Sequence, residues 1–121
     1  MKIYYAHSKR IYWSKREEKE IAVIQDKYPK AEIVNPSGIF RREMDWQLFM
    51  ANEFPRMDLV VFSDFKGYIG KGVFEEINTA IGLEIPVLYL NENGELVDVF
   101  RFGEPNPEDW VFHCRMMAVI S

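Results

Sequence analysis

Apolar and polar residues follow one another along this chain in segments whose spacing changes between that of strands and that of helices. Short apolar runs typical of strands buried on both faces occur at 1–6, 32–35, 58–62 and 85–90. Between these runs, apolar residues recur at helical spacing over 11–28, 40–54 and 73–83. Strands joined through helices in this order form βαβ units, in which the strands are parallel. The pattern therefore predicts an α/β domain.

The last part of the chain adds a turn, an edge strand and an apolar end. Residues 91–94 read Asn-Glu-Asn-Gly, which predicts a turn, and 96–102 then alternate apolar and polar as in a strand exposed on one face. The segment 110–120 is apolar, which favours a helix docked on the body or on a second subunit. We expect one domain over 1–121, a three-layer flavodoxin-like or Rossmann-like sandwich with a mainly parallel five-stranded sheet.

The second predicted helix leaves apolar residues on more than one side. Met44, Leu48 and Ala51 recur at helical spacing and are expected to face the core, with Phe54 as a further candidate for this face. Trp46 and Phe49 then point elsewhere, to a partner surface or to the wall of a cleft. Together with the apolar C-terminal segment, these aromatic residues predict a homo-oligomer, a dimer or larger.

A loop with three glycines, followed by a helix with two adjacent carboxylates near its start, connects the third and fourth predicted strands. Gly67, Gly70 and Gly72 permit a tight loop at the carboxyl end of a strand, where ligands bind in such sheets. On the helix that follows, Glu75 falls on the solvent side and Glu76 at the edge of the buried arc. Desolvation raises the pKa of such a carboxylate, but the helix N-terminus favours its charged form, so we expect an ionised, partly desolvated Glu76. Both glutamates also fit the ordinary preference for acids in a first helical turn.

The residues that follow the first strand are polar and basic. His7, Ser8 and Arg10 stand at its carboxyl end, where a hydroxyl and a guanidinium suit a phosphate or a carboxylate. A solvated basic loop is the alternative. Ser14 is the predicted N-cap of the first helix, and Glu17 three residues later would complete a capping box.

Composition excludes several classes of function. A net charge of −4 argues against a general nucleic-acid binder, which would carry a basic face. A single cysteine, Cys114, excludes an intrachain disulfide and a cysteine-rich metal site, and His7 and His113 are far apart, so no metal or other cofactor is expected. No apolar run reaches the ~18 residues of a membrane span, and no signal-peptide pattern is present, so we expect a soluble cytoplasmic protein without membrane contact.

One stretch also carries a family resemblance. Residues 72–80 read Gly-Val-Phe-Glu-Glu-Ile-Asn-Thr-Ala and resemble the nucleoside 2-deoxyribosyltransferase signature, Gly-Thr-x-x-Glu followed by an apolar residue and Gly-x-Ala. The resemblance extends over about residues 1–90 as a pattern of elements. It implies that Glu76 is the nucleophile and that Tyr4 orients its carboxylate. It also implies that Asp58, which opens the third strand, acts on the leaving base or the sugar, or braces the loop.

Residues in and before the first loop resemble one branch of this family more closely than the rest. Tyr4, Ser8 and Arg10 are spaced as in the nucleoside 5′-monophosphate N-glycosidases, which implies that Ser8 and Arg10 hold a 5′-phosphate. Residues 70–76, with the pattern Gly-x-Gly-x-x-Glu-Glu, are also similar to the lysine-decarboxylase-like phosphoribohydrolases, which cleave the same kind of bond.

The chain departs from the family signature at three places. Val73 replaces the signature threonine and Asn78 its second glycine, and the family's aspartate before the first signature glycine is missing. Lys71 stands there instead, between Gly70 and Gly72, and suits contact with an anionic ligand. We expect cleavage of the N-glycosidic bond of a (deoxy)nucleoside 5′-monophosphate, by hydrolysis or by base transfer. A non-catalytic nucleotide-binding sensor and an oligomeric interaction module are the alternatives.

Overall fold

A computed structural model describes residues 1–40, 42–67 and 69–98, together with the backbone of 100–101 and 104–105. The main sheet consists of β1 (Lys2–Ala6), β2 (Glu32–Val34), β3 (Leu59–Phe62), β4 (Val87–Leu90) and β5 (Leu96–Asp98). The helices are α1 (Lys15–Lys27), α2 (Glu43–Asn52) and α3 (Lys71–Gly82), and a small hairpin pairs β6 (Phe100–Arg101) with β7 (Glu104–Pro105). The predicted helix over 110–120 lies outside the described residues. No described helix is long and apolar enough to cross a membrane.

The strands of the main sheet lie in the order β2-β1-β3-β4-β5. The first three neighbouring pairs are parallel, and β5 runs antiparallel to β4, so the prediction of a mainly parallel sheet is confirmed and the sheet is mixed. The antiparallel edge follows from the predicted turn at 91–94, because so short a connection can only reverse the chain. The chain leaves β1 towards β2 and leaves β3 towards β4, in opposite directions. The carboxyl ends of β1 and β3 therefore flank the point where open α/β sheets form a binding crevice.

The core consists of two hydrophobic clusters that take alternate residues of β1. Tyr4 and Ala6 belong to the cluster that includes residues of α2 and α3, whereas Ile3 and Tyr5 belong to the cluster that includes Ile24 of α1. Successive side chains of a strand point to opposite faces of its sheet, so the two clusters cover the two faces. The buried sheet is thus held between apolar surfaces on both sides.

The predicted inner face of the second helix is wrong for Met44, Leu48 and Ala51, which are exposed, whereas Phe54 is buried. Met44 and Leu48 are 58% and 56% exposed, while Phe49 is buried and Trp46 is half-buried. Apolar residues occur on opposite sides of this helix, so their periodicity does not select one face. Contacts across the fold decide: Phe49 packs against the rings of Tyr4 and Phe40, at centroid distances of 5.5 and 5.2 Å.

The predicted cap of α1 is confirmed in one half only. Ser14 Oγ accepts a hydrogen bond from the Glu17 backbone N–H at 3.2 Å. The reciprocal bond from the Ser14 N–H goes to the carbonyl of Ile11 at 3.1 Å. The Glu17 carboxylate is therefore available elsewhere, and it contacts His7.

Candidate active site

A cavity of about 520 Å³ opens beyond the carboxyl end of β1, within the volume range of small-molecule sites. Its lining comes from the loop after β1, the N-terminal part of α2 and the first two turns of α3. The lining residues are His7, Ser8, Lys9, Arg10, Tyr12, Phe40, Arg42, Trp46, Gly70, Lys71, Gly72, Val73, Glu75 and Glu76. The cavity thus combines a carboxylate pair, four cationic side chains and several aromatic rings.

Glu76 is the buried carboxylate of this cavity, with 4% of its surface exposed. The hydroxyl of Tyr4 and the indole N–H of Trp46 both donate to its Oε2, the second at 3.1 Å. No donor in the described part of the chain reaches Oε1. The carboxylate is therefore anchored by one oxygen from β1 and α2, and its other oxygen has no protein partner among the described residues.

Burial raises the pKa of Glu76 to about 7. The hydrogen bonds from Tyr4 and Trp46 favour the anion and oppose this rise, and the nearby charge of Glu75 adds to it. Glu76 is thus more fully buried than the sequence indicated, and at neutral pH both of its protonation states are populated. Burial and the charge of Glu76 also raise the pKa of Tyr4 well above its usual value, so its hydroxyl stays protonated and donates.

The loop after β1 supplies the cations that the sequence singled out. Ser8 caps the 3₁₀ turn Lys9–Ile11, and its Oγ accepts from the Arg10 backbone N–H at 3.2 Å. The Arg10 guanidinium lies 5.7 Å from the ring centre of Phe65, and its side chain is exposed at the cavity. Ser8 and Arg10 are therefore placed together at the edge of the cavity.

His7 lines the cavity but has no free ring nitrogen. Its Nε2 lies 2.8 Å from Glu17 Oε2, and its Nδ1 lies 3.0 Å from the Tyr5 carbonyl oxygen. The ring stacks on that of Tyr5 at a centroid distance of 3.8 Å. Burial lowers the pKa of His7, against the opposing effect of these two acceptors. The expected contact between His7 and a substrate does not fit this geometry, and its role is to join β1 to α1.

The glycine loop ends at the N-terminus of α3, beside Glu76. Gly70 is the N-cap, and the first N–H bonded within the helix is that of Phe74, to the Gly70 carbonyl at 3.0 Å. The N–H groups of Lys71 and Gly72 have no acceptor within the helix. A Cβ at Gly72 would meet no protein atom within 4 Å. No other part of the chain therefore fills the space beside Gly72, which lines the cavity.

Asp64 and Gly67 are joined by a hydrogen bond within the glycine loop. The Gly67 N–H donates to Asp64 Oδ2 at 2.7 Å, and the hydroxyl of Tyr89 donates to Oδ1 at 2.6 Å. The guanidinium of Arg16 donates to the Asp64 carbonyl. Gly67 has φ +81°, a conformation that favours glycine. Asp64 is therefore a brace of the loop and does not line the cavity.

Asp58 is not part of the cavity. Its Oδ2 accepts from the Lys2 backbone N–H at 2.8 Å, and its own N–H donates to the Lys2 carbonyl at 2.9 Å. These contacts join the amino ends of β1 and β3, whereas the cavity lies beyond the carboxyl end of β1. Action of Asp58 on a leaving base or a sugar does not fit this position.

Several lining residues were missed by reasoning from sequence. Trp46 was expected at a partner surface or a cleft wall, and its bond to Glu76 had no signal in the sequence except that a buried indole needs an acceptor. Phe40 carried no signal either. Tyr12 stands just before the first predicted helix, a position from which it could wall the pocket or, as the sequence favoured, pack at the helix entrance, and it lines the cavity. Lys9 and Arg42 bring further positive charge, and Arg42 is bridged to Asp45 at 3.2 Å.

The described residues contain no group of three or more His, Cys, Asp or Glu that could hold a metal ion. Comparisons of the chain with protein-family models, with curated proteins and with solved structures gave no match. The chemistry of the cavity must therefore be argued from its own residues.

Proposed function

We propose that this protein cleaves the N-glycosidic bond of a (deoxy)nucleoside 5′-monophosphate, with Glu76 as the nucleophile. The observation that carries the proposal is the Glu76 carboxylate, which is buried at a cavity, is anchored through Oε2 and has no donor to Oε1 among the described residues. A nucleophilic carboxylate needs a fixed orientation, a dry surrounding and one unoccupied oxygen. The signature that Glu76 shares with nucleoside 2-deoxyribosyltransferases supports the same role.

The reaction follows the double-displacement logic of retaining glycosidases. An oxygen of Glu76 attacks the anomeric carbon of the sugar, and the bond from that carbon to the base nitrogen breaks. Its electron pair stays with the base, which takes up a proton from solvent. The glycosyl ester on Glu76 is then opened by water, which restores the carboxylate, or by a second base, which gives transfer. Tyr4 holds the carboxylate in place during both steps.

Charge at the mouth of the cavity supports a phosphorylated substrate. Lys9, Arg10, Arg42 and Lys71 reach the cavity from three separate elements of a chain whose net charge is −4. A phosphate monoester carries about two negative charges at neutral pH and binds to such cations and to helix N-termini. Ser8 and Arg10 hold the 5′-phosphate in this proposal, with Lys71 and the backbone of Gly70 and Gly72 around it.

Aromatic side chains supply the remaining surface. Tyr12, Phe40 and Trp46 line the cavity, and flat rings of this kind stack on a purine or pyrimidine base. Burial and the charges of Glu76 and Glu17 raise the pKa of Tyr12 far above its usual value, so it also presents an O–H donor. The proposed substrate is a free nucleotide or nucleoside, and the proposed reaction needs no cofactor.

A nucleotide-binding sensor without catalysis is the second candidate. The observation in its favour is Lys71 at the place where the family has an aspartate used around the base and the sugar. Such a protein would bind nucleotides at the same cations and leave the glycosidic bond intact.

Incubation with a panel of nucleoside 5′-monophosphates, with chromatography of the free base, tests the proposal. Ribo- and deoxyribonucleotides of each base form the panel, nucleosides without phosphate test the phosphate requirement, and Glu76→Gln is the blank. Base release by the wild type alone supports the enzyme. A nucleotide-dependent rise in melting temperature without base release supports the sensor. Neither release nor a shift with any nucleotide would refute both and leave the interaction module.

Exposed apolar residues on α2 bear on how copies of this protein assemble. We propose a three-layer flavodoxin-like or Rossmann-like sandwich acting in the cytoplasm, where free nucleotides occur, as a homo-oligomer. Trp46 and Phe49 no longer support self-association, because the one bonds Glu76 and the other is buried. Exposed Met44 and Leu48 on α2 take their place. Sedimentation of the wild type and of Leu48→Glu would test this, and an unchanged monomer in both would refute it.

A further inference from the structure

Trp46 connects two elements that are distant in the chain. It lies on α2, and its indole N–H donates at 3.1 Å to the carboxylate of Glu76 on α3, 30 residues later. An indole that is half-buried at a cavity could direct its N–H to water, and this one is directed to a carboxylate oxygen. The same oxygen, Oε2, also receives the hydroxyl of Tyr4.

Two donors on one oxygen make the carboxylate asymmetric. Tyr4 fixes Oε2 relative to β1, and Trp46 fixes it relative to α2. The carboxylate can then no longer exchange its two oxygens by rotation without breaking both hydrogen bonds. Oε1 has no hydrogen bond within the described part of the chain, and it is the oxygen left free for a ligand.

We infer that Trp46 is a positioning residue, which together with Tyr4 anchors Glu76 through Oε2 and presents Oε1 as the attacking atom. The anchoring stands on the geometry alone, while the naming of Oε1 as the attacking atom rests on the proposed function. Because charge-assisted hydrogen bonds favour the ionised carboxylate, Trp46 also increases the fraction of Glu76 that is able to attack at neutral pH.

Other charged groups face Glu76 and must be considered in any titration. Glu75 precedes it on α3, Tyr12 follows the loop after β1, and both interact with it electrostatically. The cations around the same cavity are Lys9, Arg10, Arg42 and Lys71. None of these is altered in Trp46→Phe, so a change in the titration of Glu76 reports the lost indole N–H.

The test replaces each indole that the structure describes by a phenyl ring. Trp46→Phe keeps an aromatic wall and removes the donor, and Trp13→Phe is the matched control because Trp13 is 80% exposed and does not line the cavity. The Glu76 carboxyl is titrated in the free protein by ¹³C NMR, with Glu76→Gln to assign its signal. The midpoint is expected to rise in Trp46→Phe and to stay at the wild-type value in Trp13→Phe.

Turnover provides the second measurement. Loss of one hydrogen bond to a charged group is expected to lower kcat of Trp46→Phe about tenfold, with KM close to that of the wild type. The acid limb of its pH–rate profile should move upward with the titration midpoint. A residue that merely lined the cavity would change KM or the melting temperature and leave the titration unchanged.

The anchoring of Glu76 by Trp46 and the attacking role of Oε1 can be refuted by different results. An unchanged Glu76 midpoint in Trp46→Phe overturns the anchoring, whatever the protein catalyses. A raised midpoint in a protein that cleaves no nucleotide keeps the anchoring and refutes both the proposed function and the attacking role of Oε1. A raised midpoint with wild-type kcat across the pH range overturns the positioning role alone.

Discussion

Two buried glutamates on opposite faces of the sheet accept hydrogen bonds from neighbouring tyrosines of β1. Tyr4 donates to Glu76, and Tyr5 donates to Glu20. Both glutamates are less than one-tenth exposed, so burial alone does not distinguish them.

Their remaining partners differ. Glu20 also accepts from the Ser63 hydroxyl at 2.7 Å, and its Oε2 pairs with the Arg16 guanidinium at 3.3 Å. Both of its oxygens are thus used, and a cation balances its charge. Glu76 has donors on one oxygen only, no ion pair within the described chain, and a cavity beside it. A buried carboxylate that is fully bonded braces a fold, whereas one that is half bonded at a cavity can react.

The largest expected effect is the loss of turnover in Glu76→Gln. An amide oxygen can still accept from Tyr4 and Trp46, but it cannot form the glycosyl ester, so base release should fall by several orders of magnitude. The folded-state pKa of Glu76, about 7, is above its ordinary value of 4.5, so the wild type loses stability as pH rises between these values. Glu76→Gln should therefore be more stable than the wild type at pH 8, by up to about 3 kcal/mol.

Urea unfolding at pH 5 and pH 8, together with base release, measures both parts of this prediction. The gain in stability should be largest at pH 8 and small at pH 4.5 and below, where the folded wild type is protonated and the unfolded chain is at least half protonated at Glu76. Turnover that persists at the wild-type rate would end the assignment of Glu76 as nucleophile.

Glu20→Gln should lower stability and leave turnover nearly unchanged, the opposite of Glu76→Gln. The amide group removes the charge that pairs with Arg16 and places an N–H₂ donor against the donors Tyr5, Ser63 and Arg16. We expect a loss of about 1–3 kcal/mol in the free energy of unfolding, with kcat nearly unchanged in the protein that remains folded. Thermal melts and active-site-normalised rates measure the two quantities. A variant as stable as the wild type would show that Glu20 is not the brace described above.

The pH dependence of kcat should differ between variants of the two neighbouring tyrosines, Tyr4 and Tyr5. Wild-type kcat should rise with pH through about 7, since the attacking carboxylate must be ionised. The hydrogen bond from Tyr4 lowers the pKa of Glu76, so Tyr4→Phe should move this limb to higher pH and lower the rate at pH 7 about tenfold. Tyr5→Phe should leave the limb in place and lower the melting temperature. A pH profile that is the same in all three proteins would separate catalysis from Glu76.

The smallest expected effect compares two glycines of α3. A Cβ at Gly72 or at Gly82 would meet no protein atom within 4 Å, but only Gly72 lines the cavity. Alanine at either position should stabilise the helix, by up to about 1 kcal/mol. Only Gly72→Ala should weaken nucleotide binding, about tenfold, because its methyl group enters space that a ligand fills. Calorimetric titration of both variants measures this, and equal affinities would place the ligand away from the start of α3.

Much of the fold could be predicted because it depends on local pattern. The apolar runs that became β1, β3 and β4 and the turn at 91–94 are read from neighbouring residues, and they imply a mostly parallel sheet with an antiparallel edge. The same local pattern predicted a helix that carries Glu76 after the glycine loop, but α3 begins earlier than predicted, at Lys71, so Gly72 lies within it and Glu76 in its second turn. Strand order then brought the first loop and this helix to one cavity.

What local pattern could not decide was which partner each polar or aromatic group would meet. Trp46 and Met44 lie on opposite sides of one largely apolar helix, and only the packing of Phe49 against Tyr4 and Phe40 selected the inner side. The sequence left His7 as a candidate ligand-binding residue. In the structure, Glu17 and the Tyr5 carbonyl occupy both of its ring nitrogens.

Spacing along the chain was enough to predict the elements, their mostly parallel arrangement and a carboxylate beside a glycine loop, because each of these depends on residues that are close in sequence. The tertiary structure alone decided that Asp58 lies at the far end of the sheet, that Trp46 binds Glu76, and that burial brings the pKa of Glu76 to about 7. Hydrogen-bond partners and desolvation are set by residues distant in sequence, which spacing does not encode.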